Sequence, residues 1–139
     1  CLRNKSVVKR KVLGGVRSAV DVIVLTTYAL MPGVLVRVRP VGIMNMIDSG
    51  DKDDKIIAVP IDDPRWNDVK DLTDINNHTL KEIEHFYSTY KKLQNKEVLV
   101  TGFQNKVAAE KAFDRGITLY QTTHASTAKK ETTKKTKKK

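Results

Sequence analysis

Only one cysteine, Cys1, occurs in 139 residues, so no intrachain disulfide can form and the pattern fits a reducing cytoplasm. No apolar run approaches the ~20 residues that a helix needs to cross a bilayer. The stretch Cys1–Arg10 is basic but lacks the apolar segment of a signal peptide. Neither feature calls for a membrane partner. There is a single tryptophan and no aromatic motif of the RNA-binding kind. Gly14–Gly15 lacks the pattern of a phosphate-cradling loop. The chain opens on Cys1 rather than Met, so a fragment or a processed product is one expectation.

Acidic residues are also scarce at both ends. Cys1–Val20 holds six basic residues and no acid, and Thr122–Lys139 holds seven lysines and only Glu131. The ends therefore carry +12 of a net charge of +10, which leaves −2 on the body between them. A basic chain ordinarily suggests nucleic acid, but here the charge belongs to the ends. The rest is ordinary for one globular domain with a modest core: 40% hydrophobic and 30% charged residues.

Residues 1–20 show no clear periodicity, although Val12–Gly15 can be read as a strand entering a turn. Asp21–Thr27 is β-branched and reads as a strand. Val34–Arg39 alternates valines with Leu35, Arg37 and Arg39 and predicts another strand, which Pro40 breaks. Val41–Ile47 and Lys55–Val59 predict a hairpin. Leu80, Ile83, Tyr87 and Tyr90 recur at helical steps and predict a helix from Asn76 or Asn77 to about Leu93. Glu97–Phe103 predicts a strand interrupted by Gly102. Asn105 then opens a second helix near 105–115, with Gly116 ending or weakening it. From Ala128 to Lys139 the chain is Lys/Thr-rich and is expected to be disordered. Short strands followed by helices predict an α+β domain on a small, mostly antiparallel barrel. The expected organisation is a basic segment 1–20, a folded domain 21–121 and a disordered tail 122–139.

Chemistry concentrates in Asp48–Ser49–Gly50–Asp51–Lys52–Asp53–Asp54–Lys55, the turn of the hairpin. Asp53 and Lys55 are two apart and share a strand face, and the hairpin returns Asp48 beside them. Clustered carboxylates suit a hard cation such as Mg²⁺, and a lysine adds a point charge for phosphate. The competing reading is a solvated polar turn, where Asp, Ser and Gly are common anyway. Tyr90–Lys91 can place a phenol and an ammonium at a cleft edge, or can be a core tyrosine beside a solvent lysine. Asp21 reads as a strand boundary, and Arg37/Arg39 as an anion-binding or a solvated face. His78, His85 and His124 have no metal-ligand spacing.

Taken together, these motifs resemble the soluble, magnesium-dependent family I inorganic pyrophosphatases of the bacterial type, in an N-terminally truncated or disturbed form. The resemblance runs from Asp21 to Phe113. It rests on Asp21–Val22–Ile23–Val24–Leu25, Arg39–Pro40–Val41–Gly42–Ile43, Asp48-x₄-Asp53-x-Lys55, His85–Phe86-x₃-Tyr90–Lys91 and Val100-x-Gly102-x₂-Asn105. It implies a five-stranded OB-like barrel flanked by helices, here incomplete at the N-terminus. It implies hydrolysis of diphosphate to two phosphates with Mg²⁺ as cofactor, a cytoplasmic location and a homo-oligomer, a hexamer if the chain is intact. Asp21, Asp48 and Asp53 would be metal ligands; Lys55, Tyr90 and Lys91 would hold the substrate's phosphate oxygens. The family's Asp-x-Asp-Pro-x-Asp signature reads here Val16–Arg17–Ser18–Ala19–Val20–Asp21. Only the last aspartate survives, and Ser18 stands at the family's base position. The resemblance therefore implies a possible impairment of turnover. The alternative is a non-catalytic pyrophosphatase-like protein that binds polyanions or nucleic acid through its basic ends.

Overall fold

A computed structural model describes the backbone of residues 5–8 and 20–135, and the side chains of 20–119, 121 and 122. The expected strand at Val12–Gly15 lies outside the described residues, as do Val16 and Ser18.

One sheet organises the chain. Its strands are β1 (Lys5–Val8), β2 (Asp21–Leu25), β3 (Val38–Asp48), β4 (Asp51–Lys52), β5 (Lys55–Pro60) and β6 (Val98–Asn105). Along the sheet the order is β1-β2-β5-β3-β4, with β6 also paired to β3. Among the described strands only β2 and β5 run parallel, and every other pairing is antiparallel. The described strands do not close: β1 and β6 each have one neighbour. This is the α+β fold expected, with its barrel incomplete: an open sheet of five strands of four or more residues plus the two-residue β4.

The hairpin forms as its turn chemistry dictates. Ser49 and Gly50 both adopt positive φ, 53° and 90°, the conformation that a two-residue hairpin loop needs for its twist to match the strands. Asp48 and Asp51 are then paired across the loop.

The strand expected over Val34–Arg39 begins only at Val38. Its partner β5 ends at Pro60, and the chain then turns into a short 3₁₀ helix, Pro64–Trp66, so residues 34–37 have no strand to pair with. Pro40 does not break β3. It sits at a register shift between Pro40 and Gly42, where its missing N–H costs no ladder bond.

Two helices cover opposite faces of the sheet. The first, α1 (Asn77–Thr89), is capped by Asn76, whose side chain accepts from the His78 N–H at 2.8 Å. It is shorter than expected: Lys92–Gln94 forms a separate 3₁₀ turn that ends at left-handed Asn95. The second, α2 (Lys106–Lys135), is capped by Asn105, whose Oδ1 accepts from the Ala108 N–H at 3.2 Å. It passes through Gly116 instead of ending there. A Cβ at Gly116 would lie 2.8 Å from Val20, so glycine allows the helix to approach the chain entering β2. The described backbone of α2 continues to Lys135, and no Gly or Pro follows Gly116 to break it.

The period of two along each strand sorts residues between the faces. Ile23, Leu25, Met44, Met46, Ile57 and Val59 pack with Ile83 and Tyr87 of α1. Ile43 and Ile56 pack with Ala109 of α2, joined by half-buried Val22 and Ala112.

Candidate active site

β2 and β5 run in parallel with Asp21 opposite Lys55. Both residues are odd-numbered, like Ile23 and Ile57, so both face the α1 side. Lys55 is 3% exposed. Its Nζ lies 2.8 Å from Asp21 Oδ2 and also donates to Asp53 Oδ1. Burial pulls the Lys55 ammonium toward neutrality, but the hydrogen bonds to Asp21 and Asp53 outweigh it. The net effect holds the lysine above its ordinary pKa.

The second half of the site joins β3 to the end of α1. Asp48 closes β3, and Lys91 follows Tyr90, the C-cap of α1. Lys91 Nζ donates to Asp48 Oδ2. That bond holds Asp48 below the usual carboxylate range and is also the main force raising Lys91. Ser49 Oγ supports Asp48 Oδ1 at 3.0 Å.

These pairs line one cleft of ≈ 290 Å³. All six residues singled out by the sequence border it: Asp21, Asp48, Asp53, Lys55, Tyr90 and Lys91. An adjoining hollow of ≈ 280 Å³ shares Asp48, Asp53 and Lys91 and adds Asp51 and Lys96.

Two wall residues were not predicted as site residues. Phe86 and Tyr87 form an aromatic cluster with Tyr90: Phe86 stacks on Tyr90 at 5.6 Å and Tyr87 meets it edge-on at 5.5 Å. The helical stripe of the sequence marks Tyr87 as a core residue. Its position three before Tyr90 was the available signal, since such residues share a helix face. Burial pushes its phenol well above the ordinary range, and the charges of Asp21, Tyr90 and Asp53 add to the rise.

The other candidates fall elsewhere. Arg37 pairs with exposed Asp62. Arg39 donates to the carbonyls of Trp66 and Val69, so it ties β3 to the following loop rather than binding an anion. His78 lies 3.8 Å from Glu82 on the helix surface. The His124 side chain is outside the described residues.

The donor set consists of carboxylate oxygens, which suits a hard divalent cation. Among the described residues no three His, Cys, Asp or Glu side chains gather closely enough to hold a metal alone. That is compatible with Mg²⁺, which is usually held by one or two carboxylates together with substrate phosphates and waters rather than in an all-protein cage. Three carboxylates outnumber the two ammoniums in this cleft, so a cation on the carboxylates is what would make it receptive to a small polyanion, with Lys91 and Tyr90 placed to orient it.

Comparison with known proteins shows the family of the chain. The family model described as inorganic pyrophosphatase matches residues 11–121. The inorganic pyrophosphatase of Picrophilus torridus is 46% identical over 102 residues, 73% of this chain and 58% of the relative. That of Helicobacter pylori is 46% identical over 112 residues, covering 78% and 65%. The solved H. pylori inorganic pyrophosphatase superposes with a TM-score of 0.72 over 74% of this chain and 62% of that one, at 46% identity. The Thermus thermophilus inorganic pyrophosphatase structure gives 0.72 at 39% identity, covering 74% and 61%. The chain thus spans less than two thirds of the length of these curated relatives.

Proposed function

We propose a function from one premise: this chain belongs to the inorganic pyrophosphatase family, whose model matches 11–121 of its 139 residues. The reaction is hydrolysis of inorganic diphosphate to two phosphates. The observation that carries this reading is the convergence of Asp21, Asp48, Asp53, Lys55, Tyr90 and Lys91 on one cleft. Family I pyrophosphatases are metal-dependent, and we take Mg²⁺ as the metal, with Asp21, Asp48 and Asp53 as ligands that would share it with substrate oxygens and waters rather than enclose it alone. When bound, Mg²⁺ supplies charge neutralisation and lowers the pKa of a coordinated water.

The chain's own residues do the rest. Lys91 and Tyr90 stand at the cleft edge as donors to phosphate oxygens. Lys55, fixed by two carboxylates, supplies a buried positive charge whose position does not depend on substrate. Such work suits phosphoryl transfer, which demands positioning and electrostatics more than covalent assistance. The base position is occupied by Ser18, and turnover is accordingly reduced. Nothing on the described residues favours the non-catalytic alternative. The same family reading carries self-association and a cytoplasmic location. No described helix is long and apolar enough to cross a membrane.

The test is phosphate release from magnesium diphosphate, compared between wild type, Lys91→Ala and wild type with the metal chelated. The reading requires metal-dependent release that Lys91→Ala lowers at least tenfold. Release that neither chelation nor Lys91→Ala reduces would refute it.

A further inference from the structure

The alternation that aims Asp53 and Lys55 at the catalytic cleft sends Lys52 and Asp54 to the other face of the sheet. On that face, two hollows of ≈ 460 and ≈ 530 Å³ share Asn45, Lys52 and Gln104. They form one groove, floored by β3 and β6 and walled by the first turns of α2. It has no lining residue in common with the catalytic cleft.

Its charge is unbalanced. Lys52, Lys111 and Arg115 line it against the single carboxylate of Asp54. Lys52 engages that carboxylate at 3.2 Å, and Asp54 also accepts from the Met46 N–H at 3.3 Å. Among the described residues Lys111 and Arg115 have no ion-pair partner. They are four apart on α2, where like charges repel and cost helix stability. An anion between them removes that cost. Asn105 adds a neutral donor: its Oδ1 is taken by the Ala108 N–H, which leaves its amide hydrogens for a ligand. Ile43 and Val107 give the groove an apolar side.

We propose that this groove is a second anion site that takes a phosphoanhydride, a ligand with at least two linked phosphate groups. Cations on opposite walls favour a multivalent anion over a single phosphate: Lys52 stands on the hairpin and Lys111 and Arg115 on the helix. Asp54 selects against weakly charged anions, because a ligand must compete with it for Lys52. The site does not depend on catalysis in the other cleft.

The test uses the full chain with divalent metal chelated, titrated separately with inorganic triphosphate and with ADP. Backbone amide resonances of Asn45 and of residues 105–115 report the groove, while those of Tyr90 and Lys91 report the cleft. The expected result is saturable shifts at 105–115, weakened at least tenfold in Kd by Lys111→Glu with Arg115→Glu and retained in Lys91→Ala. Glutamate keeps helix propensity near that of the residues replaced. Lys52→Gln gives an independent reading should the double variant fail to fold, and is expected to weaken binding at least threefold. Saturation by both probes places recognition in the phosphates; saturation by ADP alone adds the organic body to it. Shifts confined to Tyr90 and Lys91, or unchanged affinity in both groove variants, would overturn the proposal.

Discussion

Lys55 Nζ and Asp21 Oδ2 lie 2.8 Å apart across the parallel pair β2–β5, with the lysine side chain 4% exposed and the aspartate 18%. An ammonium so enclosed is tolerable only because two carboxylates answer it. Replacing Lys55 with Met removes the cation and leaves Asp21 and Asp53 facing each other. Both retain some contact with water, so the expected loss is about 1–3 kcal/mol rather than that of a wholly buried orphan charge. The shift in urea midpoint at unchanged m-value measures it. No shift would mean that the pair contributes nothing to the fold.

Asp48 and Lys91 make stability depend on pH at both ends of the scale. The folded Asp48 carboxyl lies below its unfolded value because of Lys91. Its contribution is therefore present above the unfolded carboxylate range and is lost as pH falls through the folded pKa. Lys91 is raised, so its share is present below the unfolded lysine pKa and is lost as pH rises through the higher folded one. In Lys91→Met the Asp48 titration should move upward toward an ordinary aspartate. Carboxyl-carbon NMR titration detects that move, and an unmoved Asp48 would contradict the ion pair.

By the family resemblance, Val16 and Ser18 fall at positions where the signature carries aspartates. A positioned general base contributes ~10²–10⁴-fold, and lost metal-site support costs ~10–100-fold more. Diphosphate turnover is expected at least ~1000-fold below that of a relative with the full signature. Phosphate release under matched magnesium decides this. Ordinary enzyme rates in the wild type would show that other residues supply the missing functions.

At Gly116 two effects oppose each other. Alanine gains ~1 kcal/mol of helix propensity. Its Cβ, however, meets Val20 at 2.8 Å, and overpacking typically costs ~1–3 kcal/mol. The expected net effect of Gly116→Ala is a destabilisation of up to about 2 kcal/mol in thermal or urea unfolding. A gain of a full propensity unit would mean that the Val20 segment moves aside freely.

The site was more legible than the frame that holds it. Asp48, Asp53 and Lys55 could be placed on one face because strand period and a tight turn fix them locally. Their link to Asp21 and Lys91 came only through the family resemblance, since a parallel pairing and a helix end lie far away in sequence. The strand expected at 34–37 failed because alternation shows what a segment can bury and not whether a partner strand exists beside it. Of the two roles that the sequence offers for Gly116, ending or weakening α2, the first does not hold, and close packing against Val20 explains the glycine. The groove cations left no local signal: Lys52 and Lys111 become neighbours only when α2 lies across β3.

The Ser49–Gly50 hairpin divides its returning strand between two compartments, residue by residue. Odd positions serve one side of the sheet and even positions the other. Losing Asp53 or Asp54 would therefore put Lys52 two residues before Lys55, setting a second ammonium on the face where Asp53 now answers the first. Losing two would shorten the ribbon and leave each side with its own kind of residue. Insertions and deletions in this hairpin should consequently survive in pairs, and its history of length changes should be written in even numbers.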